Sequence, residues 1–258
     1  MKECRGQIIL NKQIAKGIFE LVIKSTDLLE QQVMPGMFAH LEIPNSPDLT
    51  LRRPISINSY KKDTLTLVYQ VVGEGTKRLS NINGGVINFT ASLGKGFILP
   101  EKPSKILLVG AGIGLAPLRF IAEFAPQHIY YTFAGFRNAE LVYQLDIFKG
   151  LSKELLVCTD DGSMGEKSYL GVLTEKNIDV ISPDLILACG PEIVLKQLKD
   201  IAKSAEIPCQ ISMEARMGCG TGACMVCNCK IGHENDWHYK RCCADGPVFN
   251  AKEVLFNG

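Results

Sequence analysis

The sequence lacks both a long apolar run and a large net charge. A transmembrane helix needs about 20 consecutive apolar residues, and no run of that length occurs in the 258 residues. The formal net charge is only +1, so the composition gives no electrostatic reason to expect nucleic acid or an anionic membrane as a partner. The opening residues, MKECRGQIILNKQ, also lack the apolar segment of a signal peptide. We therefore expect a cytoplasmic protein without a membrane span or a nucleic-acid partner.

Cysteine, in contrast, is abundant and unevenly distributed. Six of the ten cysteines fall between residues 219 and 243. A reducing compartment opposes a disulfide framework, so this density favours local metal coordination. Thiolates are soft, anionic ligands that suit both iron–sulfur clusters and zinc, and the spacing has to distinguish the two.

Cys219, Cys224 and Cys227 are separated by four and two residues and are followed at a distance by Cys242 and Cys243. This is the plant-type spacing for a [2Fe–2S] cluster. Zinc is the alternative, although zinc sites usually use paired C-x2-C units and this run contains one good pair. Because adjacent side chains point in different directions, we expect only one of Cys242 and Cys243 to bind, and the spacing leaves that choice open.

The pattern of residue types changes twice along the chain and predicts three domains. Residues 1–101 hold short runs rich in Val, Ile, Thr and aromatics, separated by turn sequences such as NSPD and KKD, which predicts an antiparallel β-barrel. Residues 102–212 alternate continuous apolar runs such as KILLVG with helix-like stretches, which predicts an α/β domain with a parallel sheet. Residues 213–258 contain the clustered cysteines and predict a small C-terminal module.

A glycine-rich loop, KILLVGAGIGLAPL, follows the first apolar run of the second domain. Gly110, Gly112 and Gly114 would let backbone N–H groups approach a pyrophosphate, and Pro117 suits the first turn of a helix. Leu115 replaces the third glycine of the usual dinucleotide fingerprint, and a tight strand–helix turn without a ligand is the alternative. We predict a nucleotide site here. No acidic residue directly follows the second strand, so the pattern does not distinguish NAD from NADP.

A later apolar run ends in Cys189, Gly190 and Pro191. The carboxyl ends of parallel strands form the edge at which a doubly wound sheet binds its ligand. We therefore assign these three residues to the same nicotinamide site. The alternative is a buried structural cysteine followed by an ordinary helix start, with the proline near the first helical position.

The barrel segment contains a second candidate site, LRRPISIN followed by VYQVVGEGT. The Arg53 guanidinium would bind a phosphate in a bidentate manner, and the Ser56 hydroxyl would bond a ring nitrogen. The glycines of GEGT break a strand, and Thr76 would cap the next helix, whose free N–H groups offer a second anion site. An edge strand with a proline and an exposed arginine pair is the alternative.

Five motifs follow one another in a set order: PGMF (35–38), RRPIS (52–56), GEGT (73–76), GAGIGLAP (110–117) and CGPE (189–192). This order resembles the ferredoxin–NADP reductase superfamily, in which a flavin-binding antiparallel barrel precedes a nicotinamide-binding parallel sheet. Ile55 stands where the superfamily usually has an aromatic residue. The resemblance implies an FAD site formed by Arg53, Pro54, Ile55, Ser56, Val68, Tyr69, Gln70, Gly75 and Thr76.

The cysteine segment, RMGCGTGACMVCNC with CADGPVF, is similar to the electron-transfer subunits of type B dihydroorotate dehydrogenases. That family reads C-x-D-G-P-V-F at this point. The resemblance therefore implies that Cys243 is the fourth cluster ligand and that Cys242 and Cys229 do not bind. The implied [2Fe–2S] ligands are Cys219, Cys224, Cys227 and Cys243.

The same resemblance implies an NAD-linked oxidoreductase subunit of pyrimidine (UMP) biosynthesis. Electrons would come from a partner dihydroorotate dehydrogenase subunit that contains FMN and would pass through the cluster and FAD to NAD+. Two copies of each subunit would form a heterotetramer. No residue suggests a general base for a pyrimidine, so we predict no catalytic residue in this chain. We expect the dispersed histidines to be structural or solvated: His40, His128, His233 and His238.

Two other functions fit parts of the pattern. The chain would also suit the FAD and iron–sulfur subunit of a ferredoxin-dependent NADPH oxidoreductase or of a cytoplasmic hydrogenase. The alternative from a different class of protein is a nucleotide-binding regulator whose fold is stabilised by zinc and which has no redox role. Such a regulator has no need of the RRPIS and GEGT motifs together.

Overall fold

The computed structural model describes residues 3–233 and 235–256. Its N-terminal part is built from antiparallel strands, and buried residues alternate with more exposed ones along the first and last of them. The strands are β1 (Glu3–Ala15), β2 (Ile18–Lys24), β3 (Phe38–Leu41), β4 (Arg53–Lys61), β5 (Thr64–Gln70) and β6 (Val86–Leu93). They close into a barrel with the order β1-β2-β5-β4-β3-β6. The predicted antiparallel barrel is confirmed.

A short helix, α1 (Glu74–Ser80), connects β5 to the last part of the barrel. Its Leu79 is fully buried and packs into the barrel core together with residues such as Phe89 and Leu67. Burying a leucine side chain contributes about 1.5–3 kcal/mol of hydrophobic free energy. The apolar face of α1 therefore fixes the position of the GEGT segment on the barrel.

Strand β4 pairs differently along its two halves. Arg53 to Ser56 pair with β3, whereas pairing with β5 begins at Ile57 and passes through a bulge before Ser59. Residues 53–56 of β4 therefore pair with β3 on one edge and form no register with β5 on the other. Proline cannot donate to a ladder, and an edge of this kind accommodates Pro54 at little cost.

The second part is a parallel sheet. Its strands are β7 (Lys105–Ala111), β8 (Ile129–Phe136), β9 (Glu154–Thr159), β10 (Glu166–Lys167), β11 (Leu185–Cys189) and β12 (Cys209–Ser212). The helices between them are α2 (Ala116–Phe124), α3 (Leu145–Leu151), α4 (Leu170–Ile181) and α5 (Glu192–Ser204). The central strands are buried along most of their length, as the continuous apolar runs predict. The sequence did not predict the two-residue strand β10.

The last segment contains β13 (Asn228–His233), β14 (Asp236–Arg241), β15 (Val248–Asn250) and β16 (Val254–Leu255). A small antiparallel sheet has the order β14-β13-β16. Strand β15 instead pairs antiparallel with β12, so the large sheet has the order β10-β9-β8-β7-β11-β12-β15. The cysteine segment thus contributes one strand, β15, to the edge of the large sheet. The predicted domain boundaries at residues 101/102 and 212/213 stay predictions.

The three segments pack closely against one another. Lys95 of the barrel segment donates a 2.5 Å backbone hydrogen bond to Gly246 of the cysteine segment. Phe38 belongs to the same apolar core as Cys227 and Cys243. In the part of the chain that the structure describes, no helix is long and apolar enough to span a membrane.

Candidate cofactor sites

A cavity of about 410 Å³ lies where the barrel, the glycine-rich loop and the cysteine segment meet. We call it the central cavity. Seven of the nine residues predicted for FAD line it: Pro54, Ile55, Ser56, Val68, Tyr69, Gln70 and Thr76. The unpaired edge of β4 and the end of β5 therefore face one concave site.

The two remaining predicted FAD residues contact each other beside this cavity. A Cβ atom on Gly75 would overlap the guanidinium of Arg53, so only glycine allows this approach. Arg53 also donates to the carbonyl oxygen of Leu51. The cation is thereby held over the start of α1, the position that the sequence predicts for a phosphate contact.

Thr76 lies inside α1 and does not cap it as the sequence predicts. Gly73 is the N-cap, and the Thr76 hydroxyl accepts hydrogen bonds from the N–H groups of Val72 (3.0 Å) and Gly73 (3.2 Å). It also donates to the Gly73 carbonyl oxygen at 3.0 Å. The threonine thus closes the turn from its third helical position, because glycine has no side chain with which to do so.

Tyr69 is held rigidly in the wall of the central cavity. Its hydroxyl donates a 3.0 Å hydrogen bond to Asn11 Oδ1, and its ring stacks on Phe19 with centroids 5.7 Å apart. Burial raises the pKa of Tyr69 to about 12, so the hydroxyl is neutral at physiological pH. Ile55 is also buried and gives this wall an aliphatic surface where the resembling superfamily has an aromatic ring.

A second cavity, of about 580 Å³, lies at the carboxyl ends of the parallel strands, and we call it the nucleotide cavity. Of the seven residues predicted for the nicotinamide site, Gly112 and Pro191 line it. Gly114, Pro117 and Cys189 line the central cavity instead. The linings of these two cavities include neither Gly110 nor Gly190.

Two of the loop glycines have a packing reason to be glycine. A Cβ atom on Gly110 would lie 2.6 Å from Cα of Leu115, and one on Gly114 would overlap the carbonyl group of Cys189. These glycines let the loop fold tightly onto α2 and β11. Pro117 occupies the first turn of α2, as predicted, and Pro191 is the N-cap of α5.

Gln70, Ile113 and Glu214 line both cavities and form their common wall. Glu214 was not predicted as a site residue, although it comes just after the carboxyl end of β12, where the rule that identified Cys189 also applies. Burial raises the pKa of its carboxyl group. Sequence reasoning also missed Arg137 and Asp160 of the nucleotide cavity, because exposed polar residues in a turn carry no distinctive pattern.

The first two cysteines of the motif form one pair. Cys224 and Thr221 donate backbone hydrogen bonds to Cys219 Sγ at 3.4 Å, and Cys219 N–H donates to Cys224 Sγ at 3.4 Å. Hydrogen bonds from the Thr221 side chain and backbone, with those from Cys224, lower the pKa of Cys219 to about 5. The thiolate, the form that binds metals, is thus favoured at neutral pH.

The other two predicted ligands form a second pair. Cys243 donates a 3.4 Å backbone hydrogen bond to Cys227 Sγ. A hydrogen bond with the Cys229 thiol is the leading cause of the raised pKa of Cys242. The choice of Cys243 rather than Cys242 as the fourth ligand stays a prediction, which the contact of Cys243 with Cys227 Sγ favours.

The glycines of the loop and one ion pair hold these pairs in place. Gly220 and Gly222 have φ angles of +71° and +88°, a region that favours glycine. Arg241 donates to Asp245 Oδ2 at 2.8 Å and to the Gly222 carbonyl oxygen at 3.0 Å, which ties the loop to the segment around Cys243.

Two pairs of cysteines suit a [2Fe–2S] cluster, whose two irons together take four thiolates. A single metal ion would need three or more converging ligands. No group of three or more His, Cys, Asp or Glu side chains is arranged to hold a single metal ion within residues 3–233 and 235–256. Four thiolates in two pairs are the donor set that a [2Fe–2S] cluster takes.

Comparison with known proteins agrees with this geometry. Residues 214–255 match the family described as the iron-sulfur cluster binding domain of dihydroorotate dehydrogenase B. The chain is 36% identical over 253 residues to the dihydroorotate dehydrogenase B (NAD(+)) electron transfer subunit of Caldanaerobacter subterraneus subsp. tengcongensis, covering 98% of each chain. The chain belongs to this family of electron transfer subunits. It is also 35% identical over 248 residues to the Clostridium acetobutylicum subunit, covering 96% of this chain and 95% of that one.

Solved structures support the same fold. The NADH-dependent reduced ferredoxin-NADP oxidoreductase studied for electron bifurcation superposes with a TM-score of 0.84 and 26% identity, covering 97% of this chain and 89% of that one. A ferredoxin NADP+ reductase from Neisseria gonorrhoeae, solved with FAD and NADP, has a TM-score of 0.64 at 16% identity, covering 80% and 92%. The predictions of an electron transfer subunit, a flavin-binding barrel and an iron–sulfur module are confirmed.

Proposed function

We propose that this electron transfer subunit carries electrons from a dihydroorotate dehydrogenase partner to NAD+ for pyrimidine biosynthesis. One observation supports the order of the carriers. The central cavity shares Gln70, Ile113 and Glu214 with the nucleotide cavity, and Met217, two residues before Cys219, also lines it. This arrangement supports an order in which FAD, bound in the central cavity, lies between NAD and the cysteine pairs.

The residues of the central cavity suit FAD. A bound flavin exchanges two electrons with a nicotinamide and single electrons with an iron–sulfur cluster. In our proposal Arg53 binds a phosphate, while Gly75 gives the guanidinium the space it needs and Thr76 holds the start of α1. Ser56 and Gln70 present polar atoms to the ring. The remaining FAD residues shape the walls: Pro54, Ile55, Val68 and Tyr69.

The four predicted cluster ligands form two pairs of cysteines. In our proposal Cys219 and Cys224 bind one iron, and Cys227 and Cys243 bind the other. Backbone N–H groups already donate to the sulfur atoms of Cys219, Cys224 and Cys227. Such hydrogen bonds tune the potential of a cluster.

The nucleotide cavity suits the acceptor. In our proposal Gly112 and Pro191 contact the dinucleotide, while Gly110, Gly114, Pro117, Cys189 and Gly190 set the shape of the loop edge. The names of the curated relatives specify NAD(+), and we propose NAD as the acceptor here. Arg137 and Asp160 are exposed polar residues of this cavity and lie where we propose that the nucleotide extends.

The partner supplies the chemistry on the substrate. We propose an FMN-containing dihydroorotate dehydrogenase subunit and a complex of two copies of each chain. We place this complex in the cytoplasm, because six cysteines crowded between residues 219 and 243 suit metal coordination in a reducing compartment. No residue of this chain acts as a catalytic base in the proposal.

Co-purification tests the proposal directly. The tagged chain, expressed anaerobically in its own cells, should retain a dihydroorotate-oxidising subunit, and the eluate should reduce NAD+ when dihydroorotate is added. Cys219→Ser provides the control, since it should still bind the partner but lose most NAD+ reduction. Recovery of a ferredoxin-linked oxidoreductase subunit in place of the dihydroorotate-oxidising one would support the second candidate, which the 0.84 TM-score to such an enzyme favours.

A further inference from the structure

His40 is a buried histidine on the face of the barrel that carries the FAD motif. It lies in β3 between Ala39 and Leu41, whose side chains belong to the barrel core. Successive side chains of a strand point to opposite faces, so His40 points outward with Phe38. Only 3% of His40 is exposed, because the rest of the molecule covers this face.

On one side, His40 adjoins the FAD motif. Phe38 pairs with Ser56 and His40 pairs with Pro54 across the β3–β4 ladder. Phe38, Pro54 and Ser56 all line the central cavity, whereas His40 does not. The imidazole thus lies one position beyond the cavity wall on the same face of the sheet.

On the other side, His40 touches the cysteine loop. A Cβ atom on Gly220 would lie 2.5 Å from His40 Nδ1 and 2.9 Å from Cε1. Gly220 directly follows Cys219, and its left-handed backbone brings the loop against the ring. His40 is therefore a contact between the flavin-binding barrel and the proposed cluster ligands.

His40 Nε2 has no hydrogen-bond partner among the described residues, although it is buried. Buried polar atoms are normally paired, so a partner outside the polypeptide is expected. Burial is the main cause of a lowered pKa at His40; a hydrogen bond with the Arg52 backbone raises the pKa, and the charges of Arg52 and Arg53 lower it further. The net lowering favours the neutral ring. A neutral imidazole has one N–H donor and one acceptor.

We propose that His40 is a positioning residue for the cluster, whose Nε2–H donates a hydrogen bond to a sulfur atom of the [2Fe–2S] group. The inference rests on the proposed function, since it needs a cluster on the Cys219 loop. The ring lies against that loop and outside the lining of the central cavity, so we infer the cluster and not the flavin as the acceptor. A hydrogen bond to sulfur stabilises the more negative, reduced cluster and raises its potential.

The test compares His40→Leu, which removes the donor, with His40→Gln, which keeps one. The full-length protein is purified anaerobically, and iron, acid-labile sulfide and FAD are quantified. The cluster potential is measured by EPR-monitored titration and the flavin potential by visible absorbance. The matched control is His128→Gln, because His128 is also buried but its Nδ1 accepts a 3.2 Å hydrogen bond from Ser104 N–H, away from the cysteines.

We expect His40→Leu to lower the cluster potential at unchanged iron and FAD content. His40→Gln should restore most of the wild-type potential, and His128→Gln should not change it. An unchanged cluster potential in His40→Leu, or a shift confined to the flavin, overturns the inference. A wild-type protein without iron and sulfide would instead defeat the proposed function.

A second measurement does not depend on how well His40→Leu folds. Wild-type protein labelled with 15N-histidine should show a 15N coupling in the pulsed EPR spectrum of the reduced cluster. The coupling should be lost in labelled His40→Gln. If the coupling is absent from the wild type, or persists in that variant, His40 does not donate to the cluster.

Discussion

Asn58 Nδ2 donates a 2.8 Å hydrogen bond to the carbonyl oxygen of Ala116, and so joins the barrel to the first residue of α2. Asn58 is fully buried in β4, two residues after the FAD motif. Its Oδ1 accepts a 3.2 Å hydrogen bond from Arg119, whose Nε donates to Glu123 at 2.9 Å. This network fixes the glycine-rich loop relative to the flavin-binding strand, and with it the common wall of the two cavities.

Asn58→Leu should destabilise the protein by about 1–3 kcal/mol, because it leaves the Ala116 carbonyl and the Arg119 guanidinium without their buried partner. Urea unfolding followed by circular dichroism measures the loss. Asn83→Leu serves as the control, since Asn83 lies exposed in a loop and should change the free energy of unfolding by less than about 0.5 kcal/mol. Equal effects of the two substitutions would contradict the role of the Asn58 network.

Gly75→Ala should weaken FAD binding, because the new methyl group displaces the Arg53 guanidinium from the start of α1. Loss of a charge-assisted hydrogen bond to phosphate costs about 1.5–3 kcal/mol, which is roughly a 10- to 150-fold rise in Kd. Arg53→Ala should have an effect of similar size. FAD fluorescence titration of the flavin-free protein gives the affinities.

Gly84→Ala is the matched control for Gly75→Ala. A Cβ atom at Gly84 meets no other atom within 4 Å, so this substitution should leave FAD affinity unchanged. Wild-type affinity in Gly75→Ala and Arg53→Ala together would remove the phosphate contact from the FAD site.

Cys243→Ser should lose most of the iron and acid-labile sulfide, whereas Cys242→Ala should keep them. The reason is that Cys243 adjoins Cys227, while the Cys242 thiol is directed to Cys229. Iron and sulfide assays on anaerobic protein, with the visible spectrum, check both variants. Full cluster content in Cys243→Ser with loss in Cys242→Ala would exchange the assignments of these neighbours.

The sequence predicts the architecture well, for identifiable physical reasons. The apolar run containing Leu107 and Leu108 predicts a buried parallel strand because both faces of such a strand need apolar side chains. Thr76 was harder to place, because a threonine near glycines fits either a cap or a third helical position. The contact between His40 and Gly220 joins segments distant in the sequence and carries no local signal. The strand-end rule applies to Glu214, but its place in the common wall depends on how distant segments pack.

Glu214 makes stability depend on pH in a way that Glu214→Gln should remove. Burial raises its pKa above the ordinary value of 4.5, so the folded state holds the proton more tightly than the unfolded state. Between the two pKa values the unfolded state binds fewer protons, and the free energy of unfolding must fall as pH rises through the folded pKa. The contribution of Glu214 is thus fully present below pH 4.5 and lost above its raised folded pKa.

Urea unfolding of wild type and Glu214→Gln between pH 4 and pH 8 measures this contribution, because other titrating groups cancel in the difference between the two proteins. We expect Glu214→Gln to gain stability relative to wild type as pH rises. Glu175→Gln is the control, since Glu175 is exposed on α4, and its difference from wild type should vary less with pH. A difference for Glu214→Gln that stays constant, or that changes in the opposite direction, would show that burial does not raise the pKa of this carboxyl group.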